Sequence, residues 1–263
     1  MRKILTVLLF VAGLTLSSFA SVTDSTATVV DTSNHSMFSS DKLYAELTLA
    51  SRNVFRGVSY SESPSIQPMM KWMPCKYAEL GVYGFTTFTG ERAGYGNQIN
   101  AYITLKPFAS SKSELKNISL TSDDYYYYNV SGNNNGYFAW STEKTLHFVE
   151  ARLKYDARFD FGVDYVYLAN KNAKVDGIYF EAGYDLSESL NIFAGYLTDR
   201  NDLMFTNKGG WNAIGASISK KLNVCHQTSL LKVSVVANPN YENVVDLPGV
   251  GNGPVHLVGS ITF

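Results

Sequence analysis

From Leu43 to the last residue, apolar and polar side chains alternate with a period of two in one segment after another. Successive side chains of a strand point to opposite faces, so this period predicts strands with one greasy face and one polar face. The clearest is His147–Asp156, where Val149, Ala151, Leu153 and Tyr155 alternate with Glu150, Arg152 and Lys154. The same pattern runs over Leu43–Phe55, Tyr77–Thr89, Asn97–Lys106, Lys116–Tyr128, Arg158–Leu168, Gly177–Leu186, Leu190–Thr198, Trp211–Leu222, Leu230–Asn238 and Pro254–Phe263. Ile66–Pro74 keeps the alternation but carries two prolines, which cannot donate to a ladder, so an irregular strand is expected there. The total is twelve.

Most of these segments are longer than the five or six residues of an ordinary globular strand and match the ~9–11 that cross a bilayer obliquely. An even number suits a chain whose first and last strands meet with both ends on one side. Pro254–Phe263 runs in strand pattern to a terminal Phe; pairing with the first strand would leave the sheet without an edge. The expected fold is therefore all-β: a closed antiparallel transmembrane β-barrel of about twelve strands in up-and-down meander order. Loop lengths agree. Pro74–Lys76, Asp156–Ala157, Ser187–Ser189 and Asn223–Ser229 would be inner turns, with Pro107–Ser113 longer than the rest. Arg56–Ser65, Asn129–Tyr137, Asp199–Gly210 and Pro239–Gly253 would be outer loops, longer and rich in Gly, Asn, Ser or Pro. The chain holds 18 Tyr, and the run Tyr125–Tyr128 falls where an outer aromatic girdle is expected.

Arg2 and Lys3 precede the apolar run Ile4–Leu16, and Ser18-Phe19-Ala20 follows. This predicts a signal peptide over residues 1–20, cut after Ala20; the run is too short to span a bilayer as a helix. Residues 21–41, rich in Ser, Thr and Asp, read as a flexible periplasmic leader, and residues 42–263 as the barrel. Secretion to the periplasm followed by insertion into the outer membrane of a Gram-negative bacterial cell is the expected route, with outer-membrane lipids as the surroundings. The 22 basic and 23 acidic residues leave no basic excess, which excludes nucleic acid as a partner.

If the polar faces turn inward, Glu46, Arg52, Lys71, Glu79, Gln98, Asn100, Lys106, Glu150, Arg152, Lys154, Asp160, Asp164, Glu181, Asp185, Lys232 and His256 line the lumen. Acids and bases facing one another set which ions pass. The signs are mixed, and Glu150, Arg152 and Lys154 stand beside Asp160 and Asp164 on the next strand, so cross-strand ion pairs are expected. Twelve strands fall between filled eight-stranded barrels and open sixteen-stranded porins. The reading is a narrow porin-like channel for passive transport of small polar solutes or ions.

The segment Ser51-Arg52-Asn53-Val54-Phe55-Arg56-Gly57-Val58-Ser59 resembles the opening motif of the TorF-family porins, in which an alternating strand ends in a Phe-Arg-Gly turn followed by Ser or Thr. Tyr125–Tyr128, Glu150–Tyr155 and the ending in Phe are similar to that family too, whereas Met69–Cys75 departs from it. The resemblance implies an outer-membrane barrel without catalytic residues, and it implies that Phe263 is the signal read by the barrel-assembly machinery.

Two other classes compete. In an outer-membrane lipid hydrolase or deacylase, His147, on the lipid-facing parity, would serve as the base, but no Ser with an orienting carboxylate stands at a matching place. The chain is therefore read as no enzyme, with no cofactor and no metal. Asp123-Asp124 and Asp199/Asp202 lack the spacing of a calcium loop. A structural or adhesive barrel would bind partners through Asn129–Gly136 and Asn238–Gly253. Cys75 and Cys225, at inner turns several strands apart, are not expected to bond.

Overall fold

The structure, a computed structural model, describes residues 42–88, 97–128, 136–224, 227–245 and 253–263. The segments read as signal peptide and leader lie outside these residues, as do 129–135, 246–252 and Cys225.

Alternation becomes strand nearly everywhere it is expected: β1 (Leu43–Ala50), β2 (Asn53–Phe55), β3 (Val58–Ser61), β4 (Ser65–Cys75), β5 (Ala78–Thr87), β6 (Asn97–Leu105), β7 (Ile118–Tyr127), β8 (His147–Asp156), β9 (Phe159–Leu168), β10 (Tyr179–Asp185), β11 (Leu190–Leu197), β12 (Gly210–Val224), β13 (Gln227–Ala237) and β14 (Val255–Thr262). Twelve of them close into one antiparallel barrel in meander order, from β4 round to β14 and back through β1; β2 and β3 form a separate hairpin. β1 seals the ring, with Thr48, Leu49 and Ala50 opposite Thr262, Ile261 and Ser260. Leu47 and Phe263 exchange both backbone hydrogen bonds, at 3.2 and 3.0 Å, and the hydroxyls of Thr48 and Thr262 meet at 2.7 Å.

The greasy parity faces outward. Leu47, Ile103, Leu153, Val233 and Val235 are all exposed on the barrel's outer surface, while Glu150 and Asp164 are 1% and 3% exposed within it. Inside, large side chains lie over glycines of neighbouring strands. A Cβ on Gly81 would fall 2.4 Å from the Tyr102 ring, and one on Gly195 would fall 1.9 Å from the Tyr179 hydroxyl. β4 keeps its place in the wall despite Pro68 and Pro74: the Pro68 ring packs over Gly84, and the register with β5 shifts between Trp72 and Cys75.

The end of the barrel that carries Leu43 and Phe263, here the terminal end, has short turns at 76–77, 157–158 and 186–189. The β6–β7 connection there is longer and contains a 3-10 turn over Glu114–Asn117. All long connections but that one sit at the far end.

One expectation fails, and it changes the lumen. The first strand leaves the wall at Ala50 rather than Phe55, and residues 51–64 do not form an outer loop. They fold into the barrel, where Val58, Ser59 and Tyr60 are at most 2% exposed. Arg52 accordingly sits on this inserted segment and not on a wall strand. The cause is burial: Phe55, Val58 and Tyr60 meet Tyr125, Tyr127 and Phe85, whose side chains point inward, in a dry cluster inside the far half. Tyr125 and Tyr127 are thus core residues of the plug, not members of an outer girdle.

Removing Phe263 deletes both hydrogen bonds to Leu47, each worth ~0.5–1.5 kcal/mol. The expected cost is about 1–3 kcal/mol, measured as a lower urea midpoint of the refolded barrel; an unchanged midpoint would mean that the seam does not depend on this pair.

Candidate functional site, a lumen in two compartments

The inserted hairpin turns in two residues. Phe55 and Val58 stand opposite each other, and the residues between them, Arg56 and Gly57, have φ of 51° and 83°. Two positive φ values in a two-residue loop are the signature of a type I′ turn, which matches the twist of its strands. Gly is required at the second position for a further reason, since a Cβ there would lie 1.7 Å from the Asn212 carbonyl oxygen of β12. Arg56 adopts a left-handed conformation that costs ~1–2 kcal/mol for a residue with a Cβ, so its contacts must outweigh that.

They do so through charge. Arg56 Nη1 and Nη2 donate to the two oxygens of Glu150, both at 2.7 Å, and Nη2 also lies 2.8 Å from Asp164 Oδ2. Arg152 Nε donates to Asp164 Oδ1 at 2.5 Å, and Tyr125 Oη donates to Glu150 at 3.2 Å. The rings of Phe55 and Tyr179 flank the guanidinium at 4.5 and 4.6 Å. Two cations and two anions make a neutral quartet, and the Arg56, Glu150 and Asp164 side chains are no more than 2% exposed. Arg56 Nε alone of the guanidinium nitrogens has no hydrogen-bond partner. A buried pair of this kind adds little over a greasy replacement, but removing one partner strands the other and costs ~3–5 kcal/mol.

Above the quartet the hairpin is capped by two far-end loops. Tyr60 Oη donates to the Leu203 carbonyl, and its ring packs 5.1 Å from Phe205 and 6.4 Å from Tyr127. Leu203 belongs to a 3-10 turn, Asp202–Met204, that ends on Phe205 in the left-handed region. Thr206 bridges this loop to Val244 of the β13–β14 connection. The far half of the lumen is therefore filled.

The terminal half is not. Beneath the hairpin lies a chamber of about 680 Å³, roofed by Asn53, Val54 and the Arg56-Gly57 turn, and reaching the β10–β11 turn at Ser187–Ser189. Of the residues expected to line the lumen, Arg52, Lys154, Asp160, Glu181, Asp185 and Lys232 line this chamber. Glu150, Arg152 and Asp164 belong to the quartet instead. Glu46 pairs with Lys71 at 3.5 Å, and Glu79 with Lys106 at 3.3 Å. Gln98 is buried in the filled half, and His256 is buried with no partner on either ring nitrogen. The expected β8–β9 cross-strand pair exists between Arg152 and Asp164, which face each other in register, whereas Lys154 turns to Asp156 at 3.4 Å.

Sequence reasoning missed Arg56. The signal was there: Arg-Gly between two short apolar runs is a two-residue hairpin pattern, and the polar faces of β8 and β9 carry four acids, Glu150, Asp156, Asp160 and Asp164, against two bases, Arg152 and Lys154.

On the outer face, His147 stacks on Trp140 with centroids 3.8 Å apart. Nδ1 lies 2.7 Å from Asp124 Oδ1, and Nε2 lies 2.6 Å from the Tyr137 carbonyl. Tyr137 Oη donates to the second Asp124 oxygen at 3.0 Å, and burial, helped by that carboxylate, pushes its hydroxyl up to about 12. Nε2 is committed to a carbonyl, so it is not placed to take a proton from a nucleophile. Cys75 is exposed and free. Asp202 accepts from Arg200 and from the Lys174 amide.

Set against known proteins, the chain matches no family model and no curated protein.

Replacing Arg56 by Ala strands Glu150 and Asp164. Amide exchange at Val58–Ser61 is expected to speed up at least about a hundredfold, the lower end of that ~3–5 kcal/mol. Arg56→Lys should restore little of it, because an ammonium lacks the planar fork that grips Glu150. Exchange unchanged in both variants would show that the quartet does not hold the hairpin.

Proposed function

We propose that the protein is a gated porin-like channel of the bacterial outer membrane, drawn here in its closed conformation. The single observation that carries the reading is the pairing of an apolar outer surface with a polar, chambered lumen. Large exposed side chains such as Leu153, Ile218, Val235 and Leu257, between 48% and 61% exposed, form a continuous band. Soluble monomers rarely expose contiguous apolar patches beyond a few hundred Å², and lipid is the solvent that suits such a band. Closure of the ring satisfies every wall strand without an edge, as a bilayer requires.

In this reading the terminal end faces the periplasm, because its turns are short. Phe263 serves the barrel-assembly machinery, and small polar solutes are the cargo. The Phe55-Arg56-Gly57-Val58-Ser59 motif supports kinship with the TorF-family porins. The hairpin is the gate and the Arg56 quartet its latch, since the segment enters the barrel at both ends through the far rim, and residues 52–63 can withdraw while Ser51 stays bonded to Gly259 and Pro64 to Phe88. No catalytic role is proposed. The outer-face histidine His147 is spent on holding the Tyr137–Trp140 segment against the wall.

In planar bilayers the intact chain should show rare, brief openings, and a variant with residues 52–63 replaced by a short Gly-Ser turn should conduct steadily. A deletion variant that folds yet passes no more current than bare bilayer overturns the channel. Separately, Val233→Arg, on the outer face of β13, should destabilise the barrel in lipid by ~2–4 kcal/mol. A soluble protein would tolerate it, so an unchanged unfolding midpoint would contradict the membrane placement.

A further inference from the structure

Resting on the channel reading, we infer that the terminal-side chamber is a binding site for short zwitterionic solutes, with peptides of two or three residues as the fitting class. Its volume of about 680 Å³ lies within the ~300–1,000 Å³ of small-molecule sites. What distinguishes it is how its charges are distributed.

Elsewhere in the lumen most charges are answered at close range, as in the quartet and the Glu46–Lys71 and Glu79–Lys106 pairs; Asp123, which accepts the Tyr83 hydroxyl at 3.4 Å, lies in the filled half away from the chamber. In the chamber Arg52 and Lys154 are answered by Glu62 and Asp156, at 4.0 and 3.4 Å, but three further charges stand apart. Asp160 and Glu181 project from β9 and β10 on one side, and Lys232 projects from β13 on the other, among Ser217, Ser234 and Ser260. Among the described residues, no carboxylate lies within ion-pair distance of Lys232, and no cation lies that close to Asp160 or Glu181. Glu181 accepts only the Tyr179 hydroxyl, at 3.3 Å. Lys154, the nearest candidate for Asp160, is held by Asp156. The chamber thus has an acidic wall and a basic wall, each short of a partner.

An ammonium suits the first wall and a carboxylate the second, and both contacts are charge-assisted. Along the ring, β13 is three strands from β10 and four from β9, about 14 and 19 Å at ~4.8 Å per strand. Side chains reaching in from both walls narrow that span. An extended peptide covers ~3.3–3.6 Å per residue, so two or three residues bridge the remainder, which a free inorganic ion cannot. Neutral sugars lack their usual platform: one aromatic ring, Phe193, lines the chamber among the described residues. Serine hydroxyls on the basic wall are free to bond the peptide's amides.

The test is binding to the refolded barrel in detergent micelles, read by saturation-transfer NMR and titration calorimetry. The probes are Gly-Gly and Gly-Gly-Gly, their N-acetylated and C-amidated forms, and glucose. The free peptides should bind at least tenfold more tightly than either blocked form or glucose. Lys232→Ala should abolish the preference over the amidated form, and Asp160→Asn with Glu181→Gln the preference over the acetylated form. Equal binding of free and blocked peptides, tighter binding of glucose, or no binding of any probe overturns the assignment. Because no current is measured, peptide binding without conductance would refute the channel alone, and conductance without peptide preference would refute this inference alone.

Discussion

A single guanidinium, that of Arg56, decides what kind of barrel this is. It sits inside the ring, between Glu150 and Asp164 and under the rings of Phe55 and Tyr179. A charged group removed this far from water is tolerable only when opposite charges and hydrogen bonds meet it. Reciprocally, Glu150 and Asp164 face into the lumen one strand apart, and Arg152 alone cannot neutralise both. Wall and hairpin therefore need each other. The left-handed turn at Arg56-Gly57 and the close approach of Gly57 to Asn212 follow from holding that group in place.

From this constraint the lumen divides into two. On the far side of the quartet, Tyr60, Tyr127, Phe205, Val58 and Leu203 make a dry cluster of the sort found at the centre of a globular domain. On the terminal side the serines of β12–β14 and the acids of β9–β10 enclose water-accessible space. A barrel with such contents is neither an open pore nor a solid plug. The two halves differ because the inserted segment is amphipathic along its length, apolar at its turn flanks and polar at Arg52 and Asn53.

Much of the wall was legible in the sequence, because a period of two is a local property that closure does not alter. Leu47, Ile103 and Val233 face outward and Glu150 and Asp164 inward, as alternation requires, and the wall strands other than the first fall close to their expected bounds. What alternation does not encode is where a connection goes once it leaves the wall. Arg56–Ser65 has a loop's composition whether it points away from the barrel or into it. The inward course depends on Phe85, Tyr125, Tyr127 and Val166, which lie 20 to 110 positions further along the chain and offer it an apolar floor. The same distance effect hid the partners of the lumen charges. Arg152–Asp164 was visible as neighbours on adjacent strands, whereas Arg56–Glu150, 94 residues apart, was not.

The account stands on the hairpin lying inside the ring, and the most direct measurement is chemical access to its tip. In a Cys75→Ser, Cys225→Ser background, a Val58→Cys thiol is expected to resist a membrane-impermeant maleimide in the folded barrel and to react fully once the chain is unfolded, as the complete burial of Val58 requires. Labelling of the folded barrel as rapid as that of the unfolded chain would place the hairpin outside and contradict the account.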